Sequence, residues 1–225
     1  MNLKEKLTTF KKQLPPTVQL VAVSKTQPAE VIIEAYQTGQ RQFGENKVQE
    51  LLSKYEQLPR DIEWHLIGHL QTNKVKYIAP FVNLIQSVDS LKLLQEIDKQ
   101  AKKNERMINC LLQIYIAKEE TKFGLSFEEA LKLVNSDEFN QLKNSQVIGL
   151  MGMASNTENQ QQIRSEFHSL KIFLEQIQAT HPFISTLSMG MSSDYKIAIE
   201  EGSTLIRVGS TLFGERKPII QSQQQ

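Results

Sequence analysis

The chain has 225 residues, a formal net charge of +1, and acidic and basic residues mixed along its length. That length can hold one sizeable core, and the balanced charge offers no field for a polyanion, so nucleic acid is not an expected partner. The one cysteine, Cys110, excludes an internal disulfide framework and a clustered-thiol zinc site, fits a reducing compartment, and is expected to pack as a small apolar group.

No apolar run approaches the roughly 20 residues that cross a bilayer. The segment from Met1 to Lys12 intersperses lysines with Leu3, Leu7 and Phe10, unlike a secretory signal. A cytoplasmic protein without membrane contact is expected. Leu3, Leu7, Phe10 and Leu14 recur at helical spacing, which predicts an amphipathic helix over residues 1–14 that covers one end of the fold and stops at Pro15-Pro16.

The run from Val18 to Thr26 reads as a first strand with apolar residues on both faces, the pattern of a parallel strand buried on both sides. Alternation puts Val21, Val23 and Lys25 on one face, and Val18, Leu20 and Ala22 on the other under helices. Burying an ammonium costs several kcal/mol unless it is paired or neutralised, so a lysine where an apolar strand gives out points to a nucleophilic amine. Pro28 is placed to open the next helix, with Val31, Ile32, Ala35 and Tyr36 inward and Gly39 as its stop.

The unit then repeats. Strands are expected at residues 41–44, 62–67, 84–88, 107–117, 146–150, 184–189 and 204–208. Helices are expected at residues 45–56 and 73–81, after Asp89 as a cap, after the Ser126/Glu129 capping box, at residues 157–180, and after Ser193 as a cap, ending at Gly202. Residues 221–225 are expected to fray. Eight strand-like runs, nearly all followed by helices, favour a single α/β domain over residues 1–225, a (β/α)8 TIM-like barrel with an extra N-terminal helix. A doubly wound sheet produces the same alternation.

In a barrel, the strand ends that lead into helices share one face. Lys25, Asn46, residues 65–73, Met189 to Ser193 and Arg207 to Ser210 then line one mouth. The small-residue turn Gly209-Ser210-Thr211 after the last strand offers backbone N–H groups and hydroxyls suited to a phosphate, and Met191-Ser192-Ser193 can add donors. His65 and His69 are four apart, but Gly68 interrupts any helix and no acidic or thiol ligand is near, so no metal site is expected. The Met151, Met153, Met189 and Met191 set reads as core filler.

Five segments carry a resemblance: Ala22-Val23-Ser24-Lys25, Phe43-Gly44-Glu45-Asn46, Trp64 to Lys74, Leu187 to Asp194, and Ile206 to Gly214. Together they resemble the pyridoxal phosphate homeostasis protein (YggS/PROSC) family, in family order over nearly the whole chain. The resemblance implies a barrel similar to the N-terminal domain of alanine racemase, with pyridoxal 5′-phosphate held as a Schiff base on Lys25. It further implies that Ser192, Gly209 and Ser210 hold the phosphate, that Arg207 faces the pyridine nitrogen, and that Asn46 lies beside the ring. Ile114-Tyr115-Ile116 departs from the family's usual Val-Asn pattern, which puts in doubt a polar contact from the fifth strand.

Arg207 can act as the cation that favours a neutral Lys25 amine, or pair with Glu45 or Asp194. An arginine at the pyridine nitrogen keeps its own proton, which weakens the ring as an electron sink. The resemblance implies cofactor homeostasis as the function, and the weakened electron sink agrees with limited chemistry or none. The protein would be a non-catalytic carrier or buffer, a monomer or weak dimer, with pyridoxal-phosphate-dependent apo-enzymes as acceptors. The alternative is a small pyridoxal-phosphate-dependent amino-acid racemase, which needs a second acid/base group, for which His65 and Tyr115 are the candidates.

Overall fold

In the computed structural model, which describes residues 2–118 and 123–214, eight parallel strands close into a barrel in chain order. The strands are β1 (Gln19–Val23), β2 (Gln42–Glu45), β3 (Glu63–Leu66), β4 (Leu84–Val88), β5 (Ile108–Ile114), β6 (Ser145–Gly152), β7 (Thr186–Ser188) and β8 (Leu205–Val208). Closure is made by β8 on β1, with Val21 opposite Arg207. An open doubly wound sheet is thereby excluded.

The helices are α1 (Leu3–Gln13), α2 (Ala29–Gln37), α3 (Val48–Gln57), α4 (Val75–Ile78), α5 (Leu91–Lys103), α6 (Phe127–Val134), α7 (Asp137–Asn140), α8 (Gln160–Gln178), α9 (Tyr195–Glu200) and α10 (Ser210–Phe213). Their starts follow local chemistry. Ser126 and Glu129 form the expected reciprocal capping box at α6. Ser90, not Asp89, caps α5, its hydroxyl accepting from the Leu93 N–H, while Asp89 pairs with His69 at 3.2 Å. Asp194, not Ser193, precedes α9. Gly39 and Gly202 follow α2 and α9 with φ of 85° and 92°, the left-handed backbone that lets the chain turn away.

The α1 helix packs against α2 and α10, and its Phe10 ring lies 5.1 Å from Tyr195 of α9. It does not cover an end of the barrel. It stands in the outer ring where β8 meets β1, a place that the four-residue α10 is too short to fill. The 221–225 tail lies outside the described residues.

Strand alternation sorts the core into two. Leu20, Ala22, Phe43, Trp64, Leu66, Ile206 and Val208 face the helices, and Cys110 is buried among them as an apolar group, burial pushing its thiol pKa up. Inside the barrel, Val21, Leu84, Leu111, Met151 and Leu205 form an apolar floor. Two residues further along their strands, Gln86, Met153 and Arg207 stand one layer higher, because side chains i and i+2 share a face. The barrel is thus closed below by hydrocarbon and polar above.

Candidate functional site

Above the polar layer, a cavity of about 600 Å³ opens at the C-terminal ends of the strands. Lys25, Asn46, Ser192, Arg207, Gly209 and Ser210, all six residues expected at the site, line it. Val23, Ile67, Met153 and Met191 supply apolar wall. Of the four methionines, only Met151 and Met189 are buried filler; Met191 is exposed at the mouth.

Lys25 follows the end of β1 in a turn closed by the Gln27 N–H on the Ser24 carbonyl at 2.9 Å. Ser24 points the other way: its buried hydroxyl donates to Glu45 Oε1 at 2.5 Å, outside the barrel wall. Asn46 follows β2, and its backbone lies so close to Gly68 that a Cβ on Gly68 would stand 2.3 Å from the Asn46 carbonyl oxygen. Only glycine lets the chain after β3 approach β2 this closely.

Arg207 is buried in β8 and donates from Nη1 to Ser188 Oγ at 2.6 Å and from Nη2 to the Gly152 carbonyl at 3.0 Å. Its bonds fix a directed chain across the barrel. Arginine only donates, so the Ser188 proton goes to Gln86 Oε1 at 2.6 Å. The Gln86 amide NH₂ then faces His65 Nδ1 at 3.0 Å, which must accept, leaving the imidazole proton on Nε2. Burial lowers the His65 pKa to about 3, so this ring is neutral.

Among the described residues Arg207 has no salt bridge. Glu45 pairs instead with Lys54 at 2.7 Å, and Asp194 acts on Arg207 only as a nearby favourable charge. Burial lowers the arginine pKa to about 10, which leaves it protonated at neutral pH. The site therefore keeps a buried cation with no carboxylate bound to it.

The opposite wall is built for an anion. The backbone N–H groups of Gly209 and Thr211 converge on Ser192 Oγ at 3.2 and 3.4 Å. The amides of Ser192, Ser193 and Ser210 have no partner among the described residues. A Cβ on Gly209 would lie 3.2 Å from the Val23 carbonyl, so glycine keeps the amide row tight against β1. Converging amides, hydroxyls, a lone arginine and a primary amine suit a phosphate monoester attached to an aromatic aldehyde whose ring nitrogen accepts a hydrogen bond.

Lys25 and Arg207 are the only titratable side chains lining the cavity among the described residues. His65 lies in the buried layer below, and Tyr115 lines a separate small space beside Gln113 and Phe123. Neither candidate for a second acid/base group reaches the cavity. The sequence placed Met191 at the mouth within Met189 to Ser193, but Met153 as a wall residue and the Ser188–Gln86–His65 chain were missed; the period-two alternation of β4 and β7 was the available signal for the chain.

The family model described as the alanine racemase N-terminal domain matches residues 1–217. A pyridoxal phosphate homeostasis protein of Aquifex aeolicus is 45% identical over 201 residues, 88% of this chain and 87% of that protein. PipY of Synechococcus elongatus, solved with pyridoxal phosphate bound, superposes with a TM-score of 0.86 at 38% identity, over 95% of this chain and all of that one. Alanine racemase of Clostridium difficile shares the fold at a TM-score of 0.74 and 14% identity, over 96% of this chain and 57% of the racemase.

Proposed function

From the premise that the chain belongs to the pyridoxal phosphate homeostasis protein family, built on the alanine racemase N-terminal domain, we propose that it binds pyridoxal 5′-phosphate at Lys25 and holds the cofactor without turning it over. One observation carries the reading: the cavity brings together a primary amine, a row of anion-binding amides and a buried arginine, with no other titratable side chain among the described residues. When bound, the cofactor supplies an aldehyde that condenses with a primary amine and a ring that withdraws electrons according to the charge on its nitrogen.

The chain's own residues set the limits. Gly209, Ser210, Thr211 and Ser192 offer the N–H and hydroxyl donors for the phosphate. Arg207 is tied from behind by Ser188 and Gly152, so a donor toward the cavity stays in place, and it keeps its proton on the guanidinium. Its positive charge also favours the neutral, nucleophilic form of a neighbouring amine. Asn46 stands beside the ring position as a neutral hydrogen-bonding group. Among the described residues that line the cavity, none besides Lys25 is a proton-transfer group at neutral pH, which supports a carrier over a racemase.

On this reading residues 1–225 act as one domain in the cytoplasm, as a monomer or weak dimer, and pass cofactor to apo-enzymes. The single buried thiol of Cys110 suits a reducing compartment. The test is incubation of the purified chain with pyridoxal phosphate, borohydride reduction and peptide mass mapping. The expected result is one cofactor mass on Lys25, lost in Lys25→Ala. Absent label, or label scattered over surface lysines, overturns the site; α-proton exchange of amino acids in heavy water at an enzyme-like rate overturns the carrier.

A further inference from the structure

Behind the Lys25 turn lies a cluster that the cavity does not touch. The Lys54 side chain is 7% exposed, and its ammonium has three protons and three acceptors: the Ser24 carbonyl at 2.8 Å, Glu45 Oε1 at 2.7 Å and Glu50 Oε1 at 2.7 Å. Glu50 Oε1 also accepts the Thr26 N–H at 2.5 Å. Glu50 and Lys54 are one turn apart on α3, so they share the face turned to β1.

The two backbone groups gripped this way belong to the residues on either side of Lys25. The Ser24 carbonyl is held by Lys54 and the Thr26 amide by Glu50, both from outside the barrel wall. Thr26 has φ of 66°, a left-handed conformation that costs a β-branched residue about 1–3 kcal/mol. Charge-assisted bonds from a carboxylate and an ammonium are strong enough to offset that strain. With its neighbours fixed outward, Lys25 projects into the cavity.

We propose that Glu50 and Lys54 are positioning residues that hold Lys25 in its attacking place by clamping the peptide groups on both sides of it. The inference rests on the reading that Lys25 is the attachment point. It explains why a helix that contributes nothing to the cavity carries an almost fully buried lysine.

The test compares wild type, Glu50→Ala and Glu50→Gln, because Glu50 is partly exposed and its loss spares the buried Lys54–Glu45 pair. Two ligands separate positioning from folding: pyridoxal phosphate, read as the rate of borohydride-fixed label on Lys25, and 4′-deoxypyridoxine 5′-phosphate, which has the ring and phosphate but no aldehyde. Glu50→Ala is expected to slow labelling about tenfold, as a misplaced reacting group does, with the affinity for the deoxy ligand unchanged. Glu50→Gln, which keeps an acceptor for the Thr26 amide, is expected to recover most of the rate. In the ligand-free protein, the Thr26 amide should exchange faster in Glu50→Ala.

An unchanged labelling rate in Glu50→Ala overturns the clamp and leaves the Lys25 reading standing. A parallel loss for both ligands also overturns it, since general damage to the barrel would do the same. If wild-type Lys25 takes no label, the attachment reading falls and the clamp with it.

Discussion

The buried chain Arg207–Ser188–Gln86–His65 makes a quantitative demand on Gln86. Its Oε1 is the acceptor for the Ser188 hydroxyl and its Nε2 the donor to His65 Nδ1. Gln86→Leu keeps the side-chain size but orphans both neighbours. Each buried orphan costs about 1–3 kcal/mol, so about 4 kcal/mol of stability should be lost in all. Urea unfolding followed by circular dichroism measures the loss as a fall in midpoint at constant slope. Adding His65→Leu removes one of the two orphans, so the double variant should regain about half of the deficit; because His65→Leu alone orphans the Gln86 amide at about 2 kcal/mol, the two variants should couple by about 4 kcal/mol. A single-variant loss below about 1 kcal/mol, or two losses that simply add, would refute the directed chain.

Glu45 is fully buried, shares one ammonium with Glu50, and has Oε2 without a partner; burial pushes its carboxyl up to about 6 from 4.5. Because the folded pKa is the higher one, this group's stabilisation is complete below pH 4.5 and disappears as pH rises through 6. Relative to Glu45→Gln, wild type should lose about 2 kcal/mol between pH 4.5 and 6.5, read from urea midpoints across pH. Gly68→Ala drives a Cβ to 2.3 Å from a backbone oxygen that cannot swing away, and should cost about 3 kcal/mol in the same assay. Ser192→Ala leaves the Gly209 and Thr211 amides but removes a hydroxyl beside them; calorimetry with 4′-deoxypyridoxine 5′-phosphate should show about five- to tenfold weaker binding.

The sequence by itself determined the alternation of strands and helices, the two-faced apolar strands, and the gathering of Lys25, Asn46, Ser192, Arg207, Gly209 and Ser210 at one mouth. These follow from local periodicity and from the rule that parallel strand ends share a face. Capping was legible where two residues answer each other, as at Ser126 and Glu129, and misread at Asp89 and Ser193, where several adjacent polar residues compete for one helix start.

Only the tertiary structure decided which groups satisfy the buried charges. Arg207 has both Glu45 and Asp194 as plausible partners in sequence, yet it bonds to Ser188 and Gly152, while Glu45 turns outward to Lys54. Ser188 and Gln86 meet across 102 residues of chain. Such bonds depend on barrel closure and on which way each strand end points, and a short-range pattern carries neither. The α1 helix shows the same limit, since its apolar stripe requires burial but only the β8–β1 seam supplies the place.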